Sequence, residues 1–370
     1  MKCTNNNRTS VNRVSVNTGP GEHTGRGASA RSRAAARKRR LMKKRRRQQR
    51  IAAVLISLVV LIGAGSAAFF LFSGLSGDTV AAYGAEKYSR SLYEGTLFAD
   101  DLCVSTEDVA LDGFADDVSF YAAGLFNLNS RSVVCGYHLY NRIYPASTTK
   151  VLTGYLALKY GNLEDVVTVS EHATDFEWDA SVCGLRTGDQ ITLYDLVCGL
   201  LLHSGNDCAT AIAEHISGSE EAFVELMNKE ARALGATGTH FVNPHGLPDE
   251  EHYTTAYDLY LMFNAAMKDE RFAEIISMTS YKGTLTGADG TVRTETWEAS
   301  NYYSSGQVQA PDGIRVLGGK TGTTDLARNC VILYCVDSQE NPYISVIMGA
   351  SSRNALYEAM NRLYTAGISA

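Results

Sequence analysis

Ser147 and Lys150 stand three positions apart in the stretch Tyr144-Pro145-Ala146-Ser147-Thr148-Thr149-Lys150. Residues three apart on a helix share a face, so this hydroxyl and this amine can touch. A serine hydroxyl becomes a nucleophile only when a neighbouring base takes its proton. A lysine amine serves as that base only if burial or another cation lowers its pKa. The amino end of a helix adds N–H groups that favour developing negative charge. Downstream, Ser204-Gly205-Asn206 offers a hydroxyl to relay a proton and an amide to hold a substrate amide. Later still, Lys320-Thr321-Gly322-Thr323 offers a cation for a carboxylate, a hydroxyl, and a glycine at which a ligand can approach the backbone. Each motif alone is commonplace: a helix start with a solvated Lys, a helix–helix turn, an edge strand running into a turn. Together they describe attack by a serine on a substrate that carries an amide and a carboxylate.

The elements that must position these residues follow from periodicity and turn chemistry. Residues 120–128 and 132–138 read as two strands around Asn129-Ser130, a hairpin. A helix is expected from Ser147 to Tyr160, stopped by Gly161, with Val151, Leu152, Tyr155, Leu156 and Leu158 at helical spacing. Thr192 with Asp195 resembles a capping box before a helix that runs through Leu202. Further helices are expected over 208–216, over 220–234 with Gly235 as the stop, and from Thr255-x-x-Asp258 through Met267. The chain then returns to strands over 314–321, 329–336 and 343–349, and closes with a helix over 354–365. Strands, then helices, then strands indicate an α+β domain whose single antiparallel sheet is formed by both ends.

Charge divides the chain in two. Residues 1–50 hold sixteen Lys and Arg and one acid, Glu22, a balance of +15, so the remainder must carry −21 against the net −6. Twelve of those basic residues crowd between Arg31 and Arg50, and a 22-residue stretch without charge, 51–72, follows them. A basic run alone could neutralise phosphates or anionic lipid. Followed by an apolar stretch long enough to cross a hydrocarbon core of about 30 Å, it reads as a topology signal. The expected layout is a basic cytoplasmic tail at 1–50, a single-pass transmembrane signal anchor at 51–72, a stalk at 73–116 and an extracellular catalytic domain at 117–370. The expected partner is the cytoplasmic membrane, not nucleic acid. Under this topology Cys3 lies inside and seven cysteines lie outside, so at least one of the seven is unpaired within the chain. No Cys/His cluster has zinc spacing, so no metal and no cofactor are expected. Cys330 and Cys335 would face opposite sides of one strand, and Cys198 and Cys208 would be buried helical thiols.

The motif order Ser-x-x-Lys, Ser-x-Asn, Lys-Thr-Gly resembles the penicillin-recognising serine enzymes. Here the gaps are 57 positions from Ser147 to Ser204 and 116 from Ser204 to Lys320. More closely, the chain is similar to the serine D-Ala-D-Ala carboxypeptidases, the low-molecular-mass penicillin-binding proteins. Leu201-Leu202-His203-Ser204-Gly205-Asn206-Asp207, Asn243-Pro244-His245-Gly246-Leu247 and His252-Tyr253-Thr254-Thr255-Ala256-Tyr257-Asp258-Leu259 carry that similarity beside the first motif. The resemblance covers about residues 119–366. It implies a β-lactamase/DD-peptidase-like fold, with an antiparallel sheet flanked by helices. Peptidoglycan stem peptides would be the substrates and β-lactam antibiotics the covalent inhibitors.

The resemblance also implies roles. Ser147 would form the acyl-enzyme and Lys150 would be its base. Ser204 would shuttle a proton, and Asn206 would bind the substrate backbone. Lys320 would hold the terminal carboxylate beside Thr321 and lower the Lys150 pKa. The N–H groups of Ser147 and Thr323 would form the oxyanion hole. One departure stands out: many relatives place an Arg where this chain has Leu356, which leaves Arg353 as the replacement cation. Three other readings share the motifs: a DD-transpeptidase, which differs only in its acceptor, a β-lactamase, and an inactive wall-binding protein. A class A β-lactamase would need a Glu to activate its deacylating water. Glu220, Glu221 and Glu225 read instead as the solvent face of an amphipathic helix.

Overall fold

The computed structural model describes residues 37–63, 99–114 and 119–368. The chain divides into two compact units, Met1–Thr96 and Leu97–Ala370. In the first, residues 37–63 form helix α1, whose basic half ends at Arg50 and whose apolar half begins at Ile51. Among the described residues no helix is long and apolar enough to cross a membrane. The rest of the expected span, 64–72, lies outside the described residues, as do 1–36 of the tail and 73–98 of the stalk.

In the second unit, residues 99–114 pack against the domain, although the sequence reads them as the end of a stalk. Cys103 and Phe114 are buried, the Cys103 N–H donates to Tyr260 Oη at 2.8 Å, and Val109 bridges to Gly136. The domain is built on a five-stranded antiparallel sheet. Its strands are β1 (Ala122–Asn127), β2 (Ser132–Tyr137), β7 (Arg315–Thr324), β8 (Arg328–Val336) and β9 (Pro342–Ala350). The order β2-β1-β9-β8-β7 joins both ends of the domain and leaves β7 at one edge. Helix α8 (Arg353–Gly367) covers one face of this sheet. Helices α2 (Lys150–Tyr160), α4 (Asn206–Ser217), α5 (Glu220–Ala233) and α6 (Ala256–Ala266) contribute to the larger core on the other face. Cys330 lies in that larger core and Cys335 in the core under α8, as strand alternation requires.

The expected single sheet is corrected by a second one. Strands β3 (Val166–Thr168), β4 (Gln190–Thr192), β5 (Ser280–Thr286) and β6 (Val292–Glu298) form it in sequence order. β3 and β4 are three residues long, too short for a periodic signal. Between β5 and β6 the sequence has a turn signal instead, Asp289-Gly290, with Gly290 at φ 80°. Helix α7 (Glu270–Ser277) was likewise unexpected. Thr192 and Thr255 cap their helices through the Asp195 and Asp258 N–H groups, at 3.1 and 3.0 Å. The helix capped by Thr192, α3 (Leu193–Cys198), stops short of Leu202. Gly199–His203 widen into a π-type turn that ends on Ser204 in the left-handed region, at φ 70°. Such widened turns often mark functional sites.

Candidate active site

Ser147 lies in a 3₁₀ turn, Ala146–Thr149, which feeds directly into α2. The preceding Ala146 is left-handed, at φ 49°. Thr149 holds this conformation: its Oγ1 donates to the Ala146 carbonyl at 2.8 Å and accepts from His252 Nε2 at 2.8 Å. His252 Nδ1 accepts the Val242 N–H at 3.1 Å, which places the ring proton on Nε2. Burial lowers the His252 pKa to about 4, so the ring stays neutral and the chain of bonds persists at neutral pH.

Lys150 is fully buried at the first turn of α2. Its Nζ lies 2.9 Å from Ser147 Oγ, 2.8 Å from Asn206 Oδ1 and 2.6 Å from the His245 carbonyl. The amide oxygen and the carbonyl only accept. A neutral amine has two N–H bonds and one lone pair. With both N–H groups committed to these acceptors, the lone pair faces the serine hydroxyl. Burial and then the Lys320 cation hold the Lys150 pKa well below its ordinary value, which favours the neutral form. The arrangement can therefore take a proton from Ser147.

Lys320 reaches the same site from β7. It is fully buried, and its Nζ donates to Ser204 Oγ and to the Thr321 carbonyl, each at 2.9 Å. Burial lowers its pKa to about 7. Three motifs far apart in sequence thus meet as Ser147–Lys150–Asn206 and Ser204–Lys320. Asn206 Oδ1 is used by Lys150, and among the described residues its Nδ2 makes no hydrogen bond. β7 runs close beside the nucleophile's turn. A methyl group on Gly322 would lie 2.9 Å from both the Pro145 carbonyl and Ser147 N. Only a glycine allows the sheet edge to approach so near.

On the other face of β7, Thr321 and Thr323 line a cavity of about 230 Å³ with Ser300, Tyr302, Arg353 and Leu356. Thr321 Oγ1 pairs with Ser300 Oγ at 2.7 Å, and Thr323 Oγ1 donates to Asn329 Oδ1 at 3.3 Å. Arg353 stacks over Tyr302, with its guanidinium 5.9 Å from the ring centre. This cavity therefore carries one cation, Arg353, although Leu356 occupies the expected arginine position.

A profile described as D-alanyl-D-alanine carboxypeptidase matches residues 114–352. The chain belongs to this family. It is 36% identical over 243 residues to the D-alanyl-D-alanine carboxypeptidase DacF of Bacillus subtilis, a match covering 62% of this chain and 56% of that protein. It is 31% identical over 252 residues to DacA of Haemophilus influenzae, covering 66% and 61% respectively. The chain thus spans little more than half the length of these relatives. The Streptomyces K15 DD-transpeptidase superposes with a TM-score of 0.63 at 25% identity, over 68% of this chain and 97% of that one. The α+β DD-peptidase fold is present over the 68% of this chain that superposes.

Several site groups were not foreseen. The His245 carbonyl that holds Lys150 is a backbone atom, which no side-chain motif announces. Glu220, expected on a solvent face, is half-buried: it accepts from Thr210 Oγ1 at 3.0 Å and faces His245 Nε2 at 3.7 Å and His172 Nε2 at 3.5 Å. Its position at the start of α5, folded under the 172–176 segment, explains the difference. Burial raises its pKa.

Proposed function

We propose that this chain is a serine D-alanyl-D-alanine carboxypeptidase that removes the terminal D-Ala of peptidoglycan stem peptides through an ester on Ser147. The carrying observation is the Lys150 amine, aimed at Ser147 Oγ with its other two contacts on pure acceptors. Lys150 takes the hydroxyl proton as Oγ attacks the carbonyl between the two D-Ala residues. The oxyanion forms against the Ser147 and Thr323 N–H groups. Asn206 and the edge of β7 hold the peptide backbone in the manner of an added strand. Lys320 holds the terminal carboxylate, with Thr321 and Arg353 on its far side. Ser204, bonded to Lys320, passes the proton to the departing D-Ala, and water then hydrolyses the ester. The likeness to a DD-transpeptidase supports a second reading in which an amine replaces that water.

Incubation with a pentapeptide ending in D-Ala-D-Ala, with and without an amine acceptor, separates the two readings. Free D-Ala with a tetrapeptide product in both conditions supports the carboxypeptidase. Release of D-Ala only with the acceptor would favour the transpeptidase. No release in either condition would leave a wall-binding protein. A β-lactamase would turn a penicillin over rapidly, whereas a long-lived adduct is expected here. Arg353→Gln is expected to raise KM for the peptide about two- to fivefold with little change in kcat, since an exposed charged contact contributes about 0.2–1 kcal/mol. An unchanged KM would remove Arg353 from the site.

The basic run before residues 51–72 supports a single-pass anchor with the tail inside, a stalk, and the catalytic domain outside the cell. Protease added to intact protoplasts should digest the domain and spare the tail. A protected domain would reverse the topology.

A further inference from the structure

Beneath the Ser204-Gly205-Asn206 turn lies a buried pair of thiols that the proposed chemistry does not use. Cys183 and Cys208 are 4% and 0% exposed, and their Sγ atoms lie within 4.8 Å of each other and of an Asp207 carboxylate oxygen. The backbone around them is already in register. Asp207 accepts the Cys183 N–H at 2.9 and 2.8 Å, the Leu185 N–H at 3.1 Å and the Cys208 N–H at 2.8 Å. The Ser181 carbonyl accepts the Asn206 N–H at 2.8 Å.

The sulfurs fill a slot between two glycines. A methyl group on Gly205 would lie 2.6 Å from Cys183 Sγ and 3.1 Å from Cys208 Sγ, and one on Gly199 would lie 2.8 and 2.9 Å from them. Trp297 closes the slot, donating its Nε1–H to the Cys183 carbonyl at 3.1 Å. Both oxygens of Asp207 are occupied by backbone N–H groups, so the cluster offers a cation two sulfurs and little space. A sulfur–sulfur bond of about 2.05 Å, in contrast, needs less room than two thiols in contact.

We propose that Cys183 and Cys208 are a disulfide-forming pair, closed by a small-molecule disulfide during folding, which straps the 181–185 segment to α4 directly under Ser204 and Asn206. The exchange balances with oxidised glutathione as the oxidant. The Cys208 thiolate attacks one glutathione sulfur, and one glutathione leaves. The Cys183 thiolate then attacks Cys208 Sγ of the mixed disulfide, and the second glutathione leaves. Two protein thiols and one oxidised glutathione become one protein disulfide and two reduced glutathiones. Closure must precede burial, because the packed thiols are held protonated and out of reach.

The test is refolding of the full chain in a glutathione redox buffer and, separately, under excess reductant. Non-reducing peptide mapping should recover a Cys183–Cys208 linked peptide only from the first preparation. The bond spans 25 positions. Its melting temperature, followed by circular dichroism, should exceed that of the reduced protein by roughly 5–10 °C. The Cys183→Ser/Cys208→Ser double variant should melt at the same temperature in both buffers. Recovery of both cysteines as free thiols from cooperatively folded protein prepared in the glutathione buffer would overturn the proposal. So would a linked protein that melts no higher than the reduced one.

Discussion

Lys150→Ala and Lys150→Arg are both expected to slow acylation by a penicillin about 10²–10⁴-fold, the usual contribution of a positioned general base. The pair is more informative than either alone. Arginine preserves the positive charge and much of the reach but is never a base near neutral pH. If Lys150 acted as a cation that steadies the oxyanion, Lys150→Arg would retain much of the rate. If it acts through a lone pair, with its N–H groups on the two acceptors at 2.8 and 2.6 Å, the two variants fail alike. Rates of labelling at saturating β-lactam decide between these outcomes. Substantial retention in Lys150→Arg would require a different base.

The second large effect is expected from Lys320→Ala. Its Nζ donates to Ser204 Oγ, and the proposed mechanism gives it the substrate carboxylate. Burial brings its pKa down to about 7, so in the free enzyme it is charged below that pH and loses its charge above it. Capture of a carboxylate-bearing peptide, read as kcat/KM, should therefore decline as pH rises through about 7, and a carboxylate-free analogue should show no such limb. Removing the charge should cost the natural peptide about 10²-fold in kcat/KM, in line with a buried charge-assisted contact of ~2–3 kcal/mol. The analogue should lose less. Lys320 is also the second cause, after burial, of the lowered Lys150 pKa. The acidic limb of acylation should then move to higher pH in Lys320→Ala, by less than burial alone imposes.

The same linkage makes a statement about stability. A lysine whose folded pKa lies below its unfolded one binds fewer protons when folded, so it opposes folding below its unfolded pKa, and that cost shrinks as pH rises from about 7 toward 10. Lys320→Met should accordingly melt several degrees higher than the parent at pH 7 while losing substrate capture. Equal losses for both substrates, with an unmoved pH profile, would reduce Lys320 to a packing residue.

Much of this site was legible because its chemistry resides in side chains at fixed spacing. Ser147 and Lys150 sit one turn apart by helical geometry, and Lys320 stands in the Lys-Thr-Gly triplet at the end of an expected strand. The strands and helices that carry them fall within a few residues of the expected limits. The second sheet is not legible because β3 and β4 are too short to show a period, and the Asp289-Gly290 turn alone does not say which strands it joins. The break in the helix at Gly199 has no compositional mark: Leu200, Leu201 and Leu202 continue an apolar run that suits a regular helix equally well. Tertiary packing, not propensity, puts Ser204 into its left-handed conformation. The His245 carbonyl and the buried face of Glu220 depend on how distant loops close over Lys150. Such contacts are set by the fold as a whole and have no local sequence signature.

The most direct test of the account is the identity of the acylated residue. Intact full-length protein should gain one penicillin mass, and peptide mapping should place it on the fragment carrying Ser147, Thr148, Thr149 and Lys150. Ser147→Ala should keep its fold by circular dichroism and take no label. An adduct on any other residue, or labelling that persists in Ser147→Ala, would contradict the assignment of Ser147 as the nucleophile and Lys150 as its base.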